Sequence, residues 1–76
     1  MKYIRIRHTQ FIIFSETFAH DEVANKMRIK KEDILGAGFI SIKNPKEVSC
    51  RGKSISLNIG SDPKDTEVLQ EVLQGY

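Results

Sequence analysis

Isoleucine occurs ten times among the 76 residues of this chain, and most copies fall in short runs where every second residue is apolar. That spacing commits much of the chain to strands, because side chains two residues apart share one face of a pleated backbone. Branching at Cβ also disfavours the alternative, since it crowds the preceding turn of a helix. Ile4 and Ile6 alternate with Tyr3, Arg5 and Arg7, the pattern of a half-buried strand. Phe11-Ile12-Ile13-Phe14 reads as a second strand, and His8-Thr9-Gln10 is short enough to join the two as a hairpin.

A three-strand meander is expected from Gly38 to Ile59. Ile40 and Ile42 alternate with Phe39, Ser41 and Lys43, and Asn44-Pro45-Lys46-Glu47 has the composition of a type I turn. Val48 and Cys50 alternate with Ser49 and Arg51, and Arg51-Gly52 makes the next turn. Ile55, Leu57 and Ile59 then alternate with Ser54, Ser56 and Asn58, so this segment reads as the most regular strand of the chain.

Two segments carry helical signals instead. His20–Met27 has Asp21 and Glu22 in its first turn, basic residues at its far end and a stripe of Val23, Ala24 and Met27. Lys30–Leu35 reads as one more helical turn, closed by Gly36 in the left-handed conformation. The final helix follows Asp62 as cap and Pro63 at its first position, with Val68, Leu69, Val72 and Leu73 as its stripe and Gly75 at its end. The fold class expected is therefore α+β: an antiparallel sheet of about five strands with two helices packed on one face, in the order ββα-βββα. Residues 1–76 make a single compact domain, too short for a second core. The dry layer beneath the helices would hold Ile4, Ile6, Ile40, Ile42, Val48, Ile55, Leu57 and Ile59.

Composition narrows the function classes. The longest apolar run, Phe11–Phe14, is far short of the roughly 20 residues that cross a bilayer. The opening residues interrupt their apolar positions with charge and do not read as a signal peptide. Cys50 is the only cysteine, which excludes an intramolecular disulfide and fits a reducing, cytoplasmic setting. No metal-ligand, cofactor or small-molecule motif is recognisable. His8 and His20 read as solvated residues of a turn and a helix start. Ser15, His20 and Asp21 are neighbours in sequence without a supporting oxyanion hole, and Cys50 reads as an inward, unreactive thiol. The chain is not expected to be an enzyme.

Charge and aromatic placement point instead to binding. Residues 1–53 carry eleven Lys/Arg against six Asp/Glu, whereas residues 54–76 carry one against four. On the face of the sheet away from the helices, Tyr3, Arg5, Arg7, Phe11, Ile13, Phe39, Lys43 and Arg51 are the candidate partner-binding residues. The expected function is that of a small non-catalytic accessory or regulatory protein, which binds a protein partner or a second copy of itself through this open face. The alternative is a nucleic-acid-binding module, with rings to stack on bases and cations for phosphates.

Overall fold

The structure, a computed structural model, describes residues 1–44 and 46–75. Strands β1 (Lys2–Ile6) and β2 (Gln10–Phe14) form the expected hairpin, with Ile4 opposite Ile12 and Ile6 opposite Gln10. Helix α1 (His20–Lys26) follows, its Glu22 carboxylate accepting the Ala19 N–H at 3.1 Å to satisfy one of the free donors at the helix start. Strands β3 (Ile34–Asn44) and β4 (Glu47–Arg51) make a second hairpin. The proposed type I turn between them includes residue 45 and lies outside the described residues. Asn44 accepts the Lys46 and Glu47 N–H groups on Oδ1, at 2.9 and 3.0 Å. A small ladder of β5 (Lys53–Ser54) and β6 (Ile59–Gly60) precedes helix α2 (Asp65–Gln74). The main sheet is antiparallel in the order β2-β1-β3-β4.

The α+β class, the antiparallel pairing and the two helices are as the sequence predicts. Four details differ, each for a local reason. The helices lie on opposite faces of the sheet, not on one. Ile4 and Ala37 pack with Ala24 and Val23 of α1, whereas Tyr3, Ile40 and Val48 pack with Leu69 and Leu73 of α2. Strand β1 is therefore covered on both sides, and Tyr3, Ile4 and Arg5 are all buried. A period-2 pattern assigns faces correctly only where one face meets water.

The second difference concerns Ile55–Ile59. Asn58 adopts a left-handed φ of 55°, its N–H bonds to the Ile55 carbonyl, and the Leu57 N–H bonds to Ser54 Oγ at 3.2 Å. Those local bonds curl the segment into a turn between β5 and β6. Ser54 and Leu57 point inward and Ile55 is 89% exposed, the reverse of what alternation predicts for Ser54 and Ile55.

Third, Lys31–Asp33 form a single 3₁₀ turn, and Gly36 lies within β3 without a left-handed φ. The β1–β3 register moves from Arg5↔Gly36 to Ile6↔Ile34, so Leu35 is an extra, exposed residue in a bulge. The bulge resets the alternation and lets Ile34 share the α1-side core with Ala37. Fourth, Asp62 stands one turn ahead of α2, accepting the Lys64 N–H on Oδ1 at 2.8 Å, while Lys64 occupies the cap position.

Helix α1 ends on a Schellman motif: the Ile29 N–H reaches the Ala24 carbonyl at 2.9 Å and the Arg28 N–H reaches that of Asn25 at 3.1 Å. The left-handed residue of that motif is Arg28, with φ of 56°, where glycine is usual. Ile29 packs back on the α1-side core, which supplies the apolar contact that accompanies the motif.

Candidate functional site

The eight residues singled out from the sequence do not form one surface. Tyr3 and Arg5 leave it altogether, because α2 covers them. They meet the Asp65 carboxylate, which is fully buried in the first turn of α2. Arg5 Nη1 donates to Asp65 Oδ1 at 2.6 Å, and the Tyr3 hydroxyl donates to Oδ2 at 2.5 Å. A phenol has one proton, so with that proton on Asp65 the Tyr3 oxygen accepts from Ser61 Oγ at 2.9 Å. The Asp62 N–H adds a third donor to Asp65 at 3.0 Å, and Arg5 Nε is satisfied by the His8 carbonyl at 3.1 Å. Burial, and then the Asp65 carboxylate, push the Tyr3 phenol above its ordinary range. The packing around Asp65 leaves no space at Gly36, where a Cβ would stand 2.2 Å from Asp65 Oδ2. This cluster is closed and fully hydrogen-bonded, and it fixes α2 to β1.

Cys50 lies half-buried on the same side, packed on the core around Tyr3, with its thiol pushed up to about 11 by burial and by the Asp65 charge. Its placement against the core is as the sequence predicts. Phe11 and Ile13 also share the α2 side, half-buried and 39% exposed respectively. Arg7 sits in the turn after β1 with a left-handed φ of 58°. It lines a groove of about 480 Å³ with Met27, Arg28 and Leu35, and Glu32 and Asp33 balance its charge.

Phe39 and Arg51, opposite one another across β3 and β4, lie on the α1 side of the sheet. Both are exposed, Phe39 to 37%. Beside Phe39 is a hollow of about 360 Å³ lined by Lys2, Ala19, His20, Lys53, Ile55 and Ser56. Its walls are mainly apolar, and among the described residues its charged members are both lysines and no acid lines it. Lys43, at the far end of β3, borders a shallower hollow with Ser41, Glu47 and Ser49.

His20, expected to be solvated, is buried in the floor of the Phe39 hollow. Its Nε2 lies 2.9 Å from the Gly38 carbonyl, which can only accept, so Nε2 carries the proton and Nδ1 keeps the lone pair. The ring stands edge-on to Phe14 and Phe39, at 5.4 and 6.1 Å between centroids. Burial, assisted by the Lys2 charge and opposed by the Gly38 carbonyl and the Asp21 charge, lowers its pKa and so favours the neutral imidazole. The Lys2 ammonium is held over the hollow by the Phe18 carbonyl at 2.9 Å, with two N–H groups to spare. Nearby Phe18 is 45% exposed.

Sequence reasoning found Phe39 and Arg51 but missed His20, Ile55 and Lys2 as neighbours of Phe39. Their convergence depends on the turn at Ile55–Asn58, for which Asn58 and the flanking serines were the available signal. Among the described residues, no group of three or more His, Cys, Asp or Glu side chains is placed to hold a metal ion, and no helix is long and apolar enough to cross a membrane. The chain matches no protein-family model, no curated protein and no solved structure.

Proposed function

We propose that this chain is a non-catalytic binding module whose hollow beside Phe39 receives one apolar side chain of an acidic protein segment. The observation that carries this reading is a mainly apolar lining whose charged members, among the described residues, are both lysines. Phe39, Ala19 and Ile55 supply contact area, while Lys2 and Lys53 line the hollow and Arg51 stands across from Phe39. Ile55 at 89% exposure is the kind of unburied apolar group that marks a contact surface. The cations would speed encounter with an acidic partner and set its orientation, while the apolar contact supplies most of the affinity. A protein partner suits the hollow better than single-stranded nucleic acid. Among the described residues, Phe39 is its only aromatic ring apart from the buried imidazole, and aliphatic Ile55 offers no plane for a second base.

The test uses a short synthetic peptide with one leucine set among glutamates, followed by two-dimensional amide NMR. Shifts centred on Phe39, Lys53 and Ile55, weakened by salt and lost in Ile55→Ser, are expected. A peptide with serine in place of leucine should bind at least about tenfold more weakly, as expected for losing a buried aliphatic side chain. Absence of shifts at these residues would refute the reading, as would perturbation by an oligonucleotide alone.

A further inference from the structure

His20 carries an acceptor that the fold leaves unused. Its Nε2–H is taken by the Gly38 carbonyl at 2.9 Å, which leaves Nδ1 as a lone pair, and burial favours the neutral ring that retains it. Among the described residues Nδ1 has no hydrogen-bond partner, yet no side-chain nitrogen or oxygen there is both buried and unpartnered. Nδ1 is therefore open to solvent, although the residue as a whole is 3% exposed. His20 lines the hollow beside Phe39, so its small exposed portion opens there. The Gly38 carbonyl and the rings of Phe14 and Phe39 hold the imidazole in this orientation. An acceptor fixed in the floor of an apolar hollow selects a ligand group with a proton to give, because any other leaves it unpaired.

Lys2 restricts the choice further, since its ammonium, held by the Phe18 carbonyl, keeps two N–H donors for an acceptor. A carboxylate can take those donors but has no proton for Nδ1. An indole N–H serves Nδ1 but accepts nothing in return. A hydroxyl does both. Serine, threonine and the side-chain amides do so as well, but they bring little apolar surface to walls made by Phe39, Ala19 and Ile55. Tyrosine alone sets a hydroxyl at the far end of a flat apolar body. We infer that the hollow receives a tyrosine side chain, its ring against Phe39 and Ile55 and its hydroxyl donating to His20 Nδ1 while accepting from Lys2. This rests on the reading above, that one side chain of an acidic segment enters here, and names that side chain. A ring also suits the exposed edge of Phe39 and the neighbouring lysines, because cations are attracted to aromatic faces.

The test is a set of glutamate-rich peptides alike except at one position, which holds tyrosine, phenylalanine, O-methyltyrosine or tryptophan. Each is titrated into the isotope-labelled chain and followed by NMR, so the protein itself is never altered. Tyrosine is expected to bind about three- to tenfold more tightly than phenylalanine or O-methyltyrosine, the size of one net hydrogen bond. The His20 Nδ1 nitrogen resonance should move with the tyrosine peptide far more than with the phenylalanine one. Tyrosine no tighter than phenylalanine or O-methyltyrosine, or weaker than tryptophan, overturns the inference, as does an unmoved Nδ1 resonance. Where those peptides still shift Phe39, Lys53 and Ile55, the reading of the hollow stands and only its occupant is wrong. If no peptide shifts these residues, both fall together.

Discussion

Replacing Asp65 with asparagine should come close to unfolding the protein, and replacing Arg5 as well should restore much of the loss. The side chains of Arg5 and Asp65 are 6% and 0% exposed. Removing one partner of such a pair strands the other charge in a low-dielectric site, at a cost of about 3–5 kcal/mol. A chain of 76 residues has a total stability of roughly 4–11 kcal/mol at typical per-residue values. Asp65→Asn keeps an oxygen that can accept from Tyr3 or from the Asp62 N–H, so the loss is assigned to the unpaired guanidinium. Arg5→Met in the Asp65→Asn background removes that charge and fills its volume, leaving the double variant within about 2 kcal/mol of the parent. Urea unfolding followed by circular dichroism reads both effects. With a slope of about 1 kcal/mol/M for a small domain, Asp65→Asn lowers the midpoint by about 3 M or more. A loss below about 1 kcal/mol, or a double variant less stable than Asp65→Asn alone, would refute the reasoning. The first result would mean that water reaches Arg5, and the second that the guanidinium supports the fold without its carboxylate.

Two further outcomes follow from local geometry. Arg28→Gly should stabilise the protein by up to about 1 kcal/mol, since glycine takes the left-handed end of the Schellman motif without a Cβ penalty; a urea midpoint unchanged or lowered would contradict it. Stability should fall as pH rises, starting near the unfolded thiol value of about 9, because Cys50 titrates near 11 in the folded chain and an unfolded thiol releases its proton sooner. The raised Tyr3 phenol extends that fall above pH 10, so Tyr3→Phe should flatten this upper part of the profile in urea midpoints measured against pH.

The parts of the fold that sequence made legible are those decided within a few residues. The β1–β2 hairpin, α1 and the apolar stripe of α2 follow from periodicity and from charge at helix ends, which need no knowledge of what packs where. Face assignment is a different matter, because it depends on how many layers cover the sheet. Arg5 and Tyr3 read as outward while only one layer was assumed, and they are inward because α2 covers the second face. One signal of this was present: Asp65 stands three and four residues before Val68 and Leu69, so it continues their stripe toward the helix start. A carboxylate on an apolar stripe requires a buried cation, and Arg5 on an otherwise apolar strand answers it. The Phe39 hollow was half legible for a similar reason. Phe39 and Arg51 are placed by alternation, but Ile55 reaches the hollow only because hydrogen bonds from the Leu57 N–H to Ser54 Oγ and from the Asn58 N–H to the Ile55 carbonyl override an alternating pattern.

The bonds from Tyr3 and Arg5 to Asp65 span 62 and 60 positions of the chain. During synthesis, β1 is made early yet its α2 side can find neither its carboxylate nor its cover until residue 65 has emerged. Until then an arginine and a tyrosine that belong in the interior face water, and the strand that carries them is open to wrong pairings. Closing so long a loop late also slows the search for the native arrangement. The docking of α2 is therefore the step that locks strand β1 in place.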